Sequence, residues 1–157
     1  MPIKIAGLIF FFLLGHFCYG QITSTFDTDE DGWTFTSPVT HHATDGNSGG
    51  YISSSYSSAS TSNTQYWIAP AKFRGNLVVR SLGQDLVFSM QQSHAGATNI
   101  GQGDVRIENG GNVLVYQLPV KPALAPQWST YTIKLDESGG WKSGSTPGAV
   151  ATRAQII

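Results

Sequence analysis

The sequence predicts an all-β domain, a β-sandwich of two antiparallel sheets. Three observations lead there. Charged residues are only 12 % of the chain, too few for a helical bundle or coiled coil, which draw on Glu, Lys, Ala and Leu. Glycine occurs 18 times in 157 residues, which suits many tight turns. Short runs of alternating apolar and polar residues are separated by Gly, Ser, Asn and Pro, the pattern of short strands joined by turns. The chain is long enough for one domain with a real core and too short for two. Its formal net charge is −1, so it lacks the basic excess that neutralises phosphates, and nucleic acid is not an expected partner.

The first 20 residues read as a secretory signal peptide. Lys4 is the only charge before Asp27, and an apolar run from Ile5 to Leu14 follows it. That run is shorter than the ~20 residues a membrane-spanning helix needs and fits a signal-peptide core. Cys18 and Gly20 are small residues placed for cleavage after Gly20, leaving Gln21 as the mature N-terminus and no membrane insertion after cleavage. Lipid attachment at Cys18 is disfavoured by the bulky Phe17 before it. Cys18 is the only cysteine, so residues 21–157 carry no disulfide, although the expected extracellular compartment permits them.

The elements follow in order. Trp33-Thr34-Phe35-Thr36 alternates and reads as a strand ended by Pro38, and Tyr51-Ile52-Ser53 follows Gly49-Gly50 as a second. Residues 53–64 are almost all Ser, Thr, Ala and Asn, and read as a surface connection. Gln65 to Ile68 reads as a third strand, and Ala71 to Gly75 as one helical turn capped by glycine. Asp85 to Gln91 places Leu86, Phe88 and Met90 on one face. Asp104 to Glu108 turns through Asn109-Gly110-Gly111-Asn112 into Val113 to Leu118, the clearest hairpin in the chain. Ser129 to Leu135 puts Tyr131, Ile133 and Leu135 on one face. The expected buried set is Leu86, Phe88, Val105, Ile107, Tyr131 and Ile133. Pro147 to Ile157 has the composition of a helix start, ending on Ile156 and Ile157.

Four groups of residues could carry chemistry. Asp27-Thr28-Asp29-Glu30-Asp31-Gly32 has the D-x-D-x-D-G form of a calcium loop, with Asp27, Asp29 and Asp31 as candidate ligands of a structural calcium ion. The twelfth position, where such a loop places a bidentate Glu, is Pro38, so an acidic turn between Phe26 and Trp33 is the preferred reading. No other cofactor is expected. Gly46-Asn47-Ser48-Gly49-Gly50 fits G-x-S-x-G, but a loop precedes it and a strand follows, the reverse of a nucleophile elbow. Its glycines read as backbone turns. His41, His42 and Asp45, with His94, could in principle hold zinc, but adjacent residues on extended backbone point to opposite faces. Of the many aromatic residues, Tyr56 in the serine-rich loop and Trp141 in the glycine-rich loop read as the most exposed and are the candidate glycan-binding pair, with core or loop packing as the default reading.

Several segments resemble the laminin IV type A domain, also called the laminin B domain. They are Phe26-Asp27 with Gly32-Trp33, Gly49-Gly50-Tyr51-Ile52, the run from Tyr66 to Asn76, Leu86-Val87-Phe88, Trp128-Ser129-Thr130-Tyr131 and Gly139-Gly140-Trp141. The run from Tyr66 to Asn76 is the most specific. The chain departs from the family pattern at Leu82-Gly83-Gln84, where a Tyr-Gly-Gly turn is usual. The resemblance implies a jelly-roll β-sandwich similar to carbohydrate-binding modules. It also implies a last core strand after the C-terminal helix, which residues 21–157 would lack. The function it implies is a secreted, non-catalytic adhesion or recognition module with an extracellular protein or glycan as partner. A carbohydrate-binding module using exposed aromatics is the alternative.

Overall fold

The structure, a computed structural model, describes residues 20–55, 65–93 and 102–156. The apolar run of the expected signal peptide, Tyr56, His94 and Ile157 lie outside the described residues. Eight strands and a few single-turn helices make up the described chain: β1 (Thr40–His42), β2 (Tyr51–Ser53), α1 (Val78–Ser81), β3 (Asp85–Gln92), β4 (Val105–Asn109), β5 (Asn112–Tyr116), β6 (Ala123–Leu124), β7 (Ser129–Lys134), β8 (Lys142–Ser143) and α2 (Arg153–Ile156). Two 3-10 turns, Ala71–Phe73 and Glu137–Gly139, complete it. The protein is all-β in class.

The strands form three sheets. β1 pairs with β2, β3 lies between β6 and β7, and β5 lies between β4 and β8. β3 and β7 run antiparallel from Asp85 opposite Lys134 to Met90 opposite Ser129. β4 and β5 form the expected hairpin, with Gly110 and Gly111 both at positive φ in its turn. A core draws on both three-stranded sheets: Leu114 from β5, Tyr131 and Ile133 from β7, and Leu118, Trp141 and Ala151 from the connections. Leu86, Phe88, Met90 and Val105 pack against it, half-buried.

The expected pair of antiparallel sheets is therefore corrected to three sheets, with one parallel contact, β3 to β6. β6 arises because the chain returns past Pro119 and Pro122 alongside the end of β3, and prolines keep the segment to two residues. The Trp33 and Gln65 runs pair through a single bridge, Thr34 to Ile68, with the Phe35 and Trp67 rings 4.9 Å apart and the Thr36 hydroxyl donating to Gln65. Ile107 is 38 % exposed rather than buried. Its strand β4 is the edge of its sheet, so only one neighbour shields it. Ile156 of α2, near the end of the helix-start segment, packs against the core. Just before that helix the Gln155 side-chain oxygen accepts the Thr152 backbone N–H at 2.9 Å, one half of a capping box.

Gly139-Gly140-Trp141 owes its sequence to the core. Gly139 lies so close to the Lys134 carbonyl that a Cβ there would overlap it. Gly140 caps the 3-10 turn in the left-handed region at φ 82°. The chain is thereby turned so that Trp141 enters the core, 1 % exposed. Its indole N–H donates to the same Lys134 carbonyl at 2.8 Å, which satisfies the one polar atom of a buried tryptophan. The expectation of an exposed, sugar-stacking Trp141 is corrected by this burial. The glycines that suggested a loose loop are the devices that bury the ring.

Candidate functional site

The outward face of β3 and β7 is polar and open to solvent. Alternation along the two strands puts Val87 and Ser89 beside Thr130 and Thr132 on that face, and Val87 is 53 % exposed. Trp128 stands just before β7, two residues from Thr130. Ser89 and Thr130 are register partners, and their hydroxyls lie 2.9 Å apart. The Asn47 side-chain amide donates to both, at 2.9 Å each. The loop between β1 and β2 is thus pinned to the sheet by a three-membered cluster of hydroxyl and amide groups.

An aromatic row flanks this cluster. His42 stacks on Tyr51 with ring centroids 4.3 Å apart and 6° between planes, and Tyr51 meets Trp128 in an edge contact at 5.4 Å. His42 is oriented by its Nε2 contact to the Ser53 hydroxyl at 2.9 Å. All three rings are half-buried. The face carries one ion pair, Lys134 with Asp85 at 2.8 Å, and the Asp85 carboxylate, through its hydrogen bond, holds the lysine above its ordinary range. Opposite charges thus cancel at that end of the face. Sequence reasoning did not assemble this patch, since Asn47 stands 83 residues from Thr130. The one legible signal is the alternation of Ser129 to Leu135, which sets Thr130 and Thr132 opposite the core face.

The acidic loop is built differently. Asp31 is paired with the Lys72 ammonium, which also donates to the Thr23 carbonyl. Hydrogen bonds from Lys72 first and Ser24 second hold the Asp31 carboxyl below the usual carboxylate range. Asp29 accepts the Asp31 backbone N–H at 2.7 Å, the local bond that makes aspartate a turn residue. Asp27, Asp29 and Asp31 line one polar hollow of about 260 Å³ with Thr23, Thr28 and Lys72. Among the described residues no group of three or more His, Cys, Asp or Glu side chains is placed to hold a metal ion. Lys72 thus places a positive charge directly beside Asp31 in this loop.

The remaining groups are structural in their contacts. The Gly46 N–H donates to the Gly49 carbonyl at 3.0 Å, closing a turn around Ser48. Gly50 is buried against the Phe26 carbonyl, where a Cβ would overlap it. His41 Nε2 contacts that same carbonyl at 2.7 Å, while His42 turns to Ser53 and Tyr51. The two adjacent histidines thus diverge. Among the described residues no helix is long and apolar enough to cross a membrane.

Comparison with known proteins adds the family. No solved structure matches the chain. The family model for Laminin B (Domain IV) matches residues 66–157, from the Tyr66 run through β3, β7 and the Gly139-Gly140-Trp141 turn to α2. Laminin B domains are non-catalytic adhesion-type modules that are typically extracellular. On more than half its length, this chain belongs to the laminin B (domain IV) family.

Proposed function

We propose that this protein is a secreted, non-catalytic adhesion or recognition module of laminin B type, acting at the cell surface or in a matrix-like setting. The family match over residues 66–157 is the observation that carries the reading. The N-terminal sequence supports the route out of the cell, because its short apolar run after Lys4 has the form of a cleaved signal peptide. The finer architecture proposed is the jelly-roll sandwich that the resemblance implies, with the core between the two three-stranded sheets as its centre. The partner is an extracellular protein or a glycan. The test is expression of the full chain in a secreting host, with the mass of the product in the medium and its binding to immobilised matrix proteins measured by interferometry. A product beginning at Gln21 that binds at least one matrix preparation is expected. A product retained in the cell with Met1 intact would overturn the secreted reading, and a secreted product that binds none of the panel would overturn the adhesion reading.

A further inference from the structure

We propose that the outward face of β3 and β7, with the β1–β2 loop laid against it, is a binding site for a neutral oligosaccharide. The proposal rests on the recognition-module reading and names its ligand class. A pyranose ring presents an apolar C–H face and a rim of hydroxyls. The first suits aromatic rings, and the second suits groups that donate and accept at once. The structure sets both side by side: Tyr51 and Trp128 in edge contact, and Asn47, Ser89 and Thr130 joined by 2.9 Å hydrogen bonds on the surface. Those three polar groups are already oriented by one another, which lowers the ordering cost when a ligand hydroxyl joins them. The charge balance selects the class. Among the described residues of this face Lys134 is the cation and Asp85 neutralises it, so the face favours neutral chains over sulfated or carboxylated ones.

This site replaces Trp141, which is in the core. The test uses the secreted protein on an array of neutral oligosaccharides of glucose, galactose, mannose, xylose and N-acetylglucosamine, with heparin fragments alongside, followed by calorimetry on the best neutral binder. The expected result is binding to a neutral oligosaccharide that weakens at least tenfold in Trp128→Ala and in the double variant Asn47→Ala, Thr130→Ala. Val79→Ala, on the exposed side of α1, should bind as the wild type does. If Trp128→Ala does not fold, the double variant at exposed positions decides. Absence of neutral-sugar binding at millimolar concentration, binding to heparin fragments only, or unchanged affinity in the folded variants would overturn the proposal. A parallel measurement on enzymatically deglycosylated matrix proteins separates the two readings. Binding retained there without any sugar binding refutes the glycan site alone, and loss of both refutes the recognition module as well.

Discussion

Replacing Trp141 tests whether the Gly139-Gly140-Trp141 turn is a core device. The ring is 1 % exposed and lies 5.6 Å from the Tyr116 ring, tilted against it. Truncation of a buried aromatic to alanine costs about 3–5 kcal/mol through lost burial and the cavity left behind. Total stability for a domain of this kind is about 5–15 kcal/mol, so Trp141→Ala should remove a large part of it. With a urea dependence of about 2 kcal/mol/M, the unfolding midpoint should fall by about 1.5–2.5 M. Trp141→Phe keeps most of the ring volume but deletes the indole N–H, leaving the Lys134 carbonyl without that donor. The lost bond costs about 1–3 kcal/mol, so its midpoint should lie between those of the wild type and the alanine variant. Gly139→Ala should also destabilise, because its Cβ meets the backbone carbonyl of Lys134 and backbone cannot step aside as a side chain can. The assay is urea unfolding followed by far-ultraviolet circular dichroism, which does not depend on the tryptophan removed. A fall of less than about 0.3 M in Trp141→Ala, the size of an ordinary surface substitution, would refute the burial argument.

Gly50→Ala should destabilise the protein and loosen the β1–β2 pair, since the added Cβ overlaps the Phe26 carbonyl; a wild-type urea midpoint would contradict the close approach described there. Adding calcium or a chelator should leave the melting temperature unchanged, because Lys72 already neutralises Asp31; a chelator-induced fall would return the D-x-D-x-D-G loop to the calcium reading. The carboxyls of Asp31, Asp136 and Glu137 are held below their ordinary values of 3.8, 3.8 and 4.5, chiefly by the Lys72 hydrogen bond, the Ser138 hydroxyl and the Glu137 backbone N–H respectively. A depressed folded value means their contribution is complete above those ordinary values and is lost as pH falls through the depressed ones. Lys134, raised above 10.5 by Asp85, contributes fully below that value and is lost as pH rises through its folded value. The urea midpoint should therefore fall at both ends of the range, and a midpoint that rises below pH 4 would contradict the assignment.

Much of the fold was legible because its main strands obey the two-residue period. β3, β7 and the β4–β5 hairpin stand within a residue or two of their expected bounds, since alternation fixes the face and the Asn109 to Asn112 turn fixes the register. Thr40, His41 and His42 carry no apolar alternation and by themselves predict a polar loop; the strand exists because β2 offers it a partner. Trp141 was placed outside because glycines signal a turn without saying which way the next residue points. Ile107 was placed inside because its own strand alternates correctly, while edge position is a property of the sheet. The Asn47, Ser89 and Thr130 cluster joins three segments far apart in sequence, and no local pattern encodes such a meeting.

The central claim is that this laminin B domain works outside the cell by binding through the outward face of β3 and β7. The most direct measurement compares retention of secreted wild type and a Thr130→Asp variant on a decellularised matrix, at equal concentration in the medium. Thr130 is exposed, so the variant should fold, while its carboxylate accepts from the Asn47 amide and the Ser89 hydroxyl and holds both donors away from a ligand. The account predicts retention of the wild type and at least tenfold less of the variant. Equal retention of the two, or no retention of either, would contradict it.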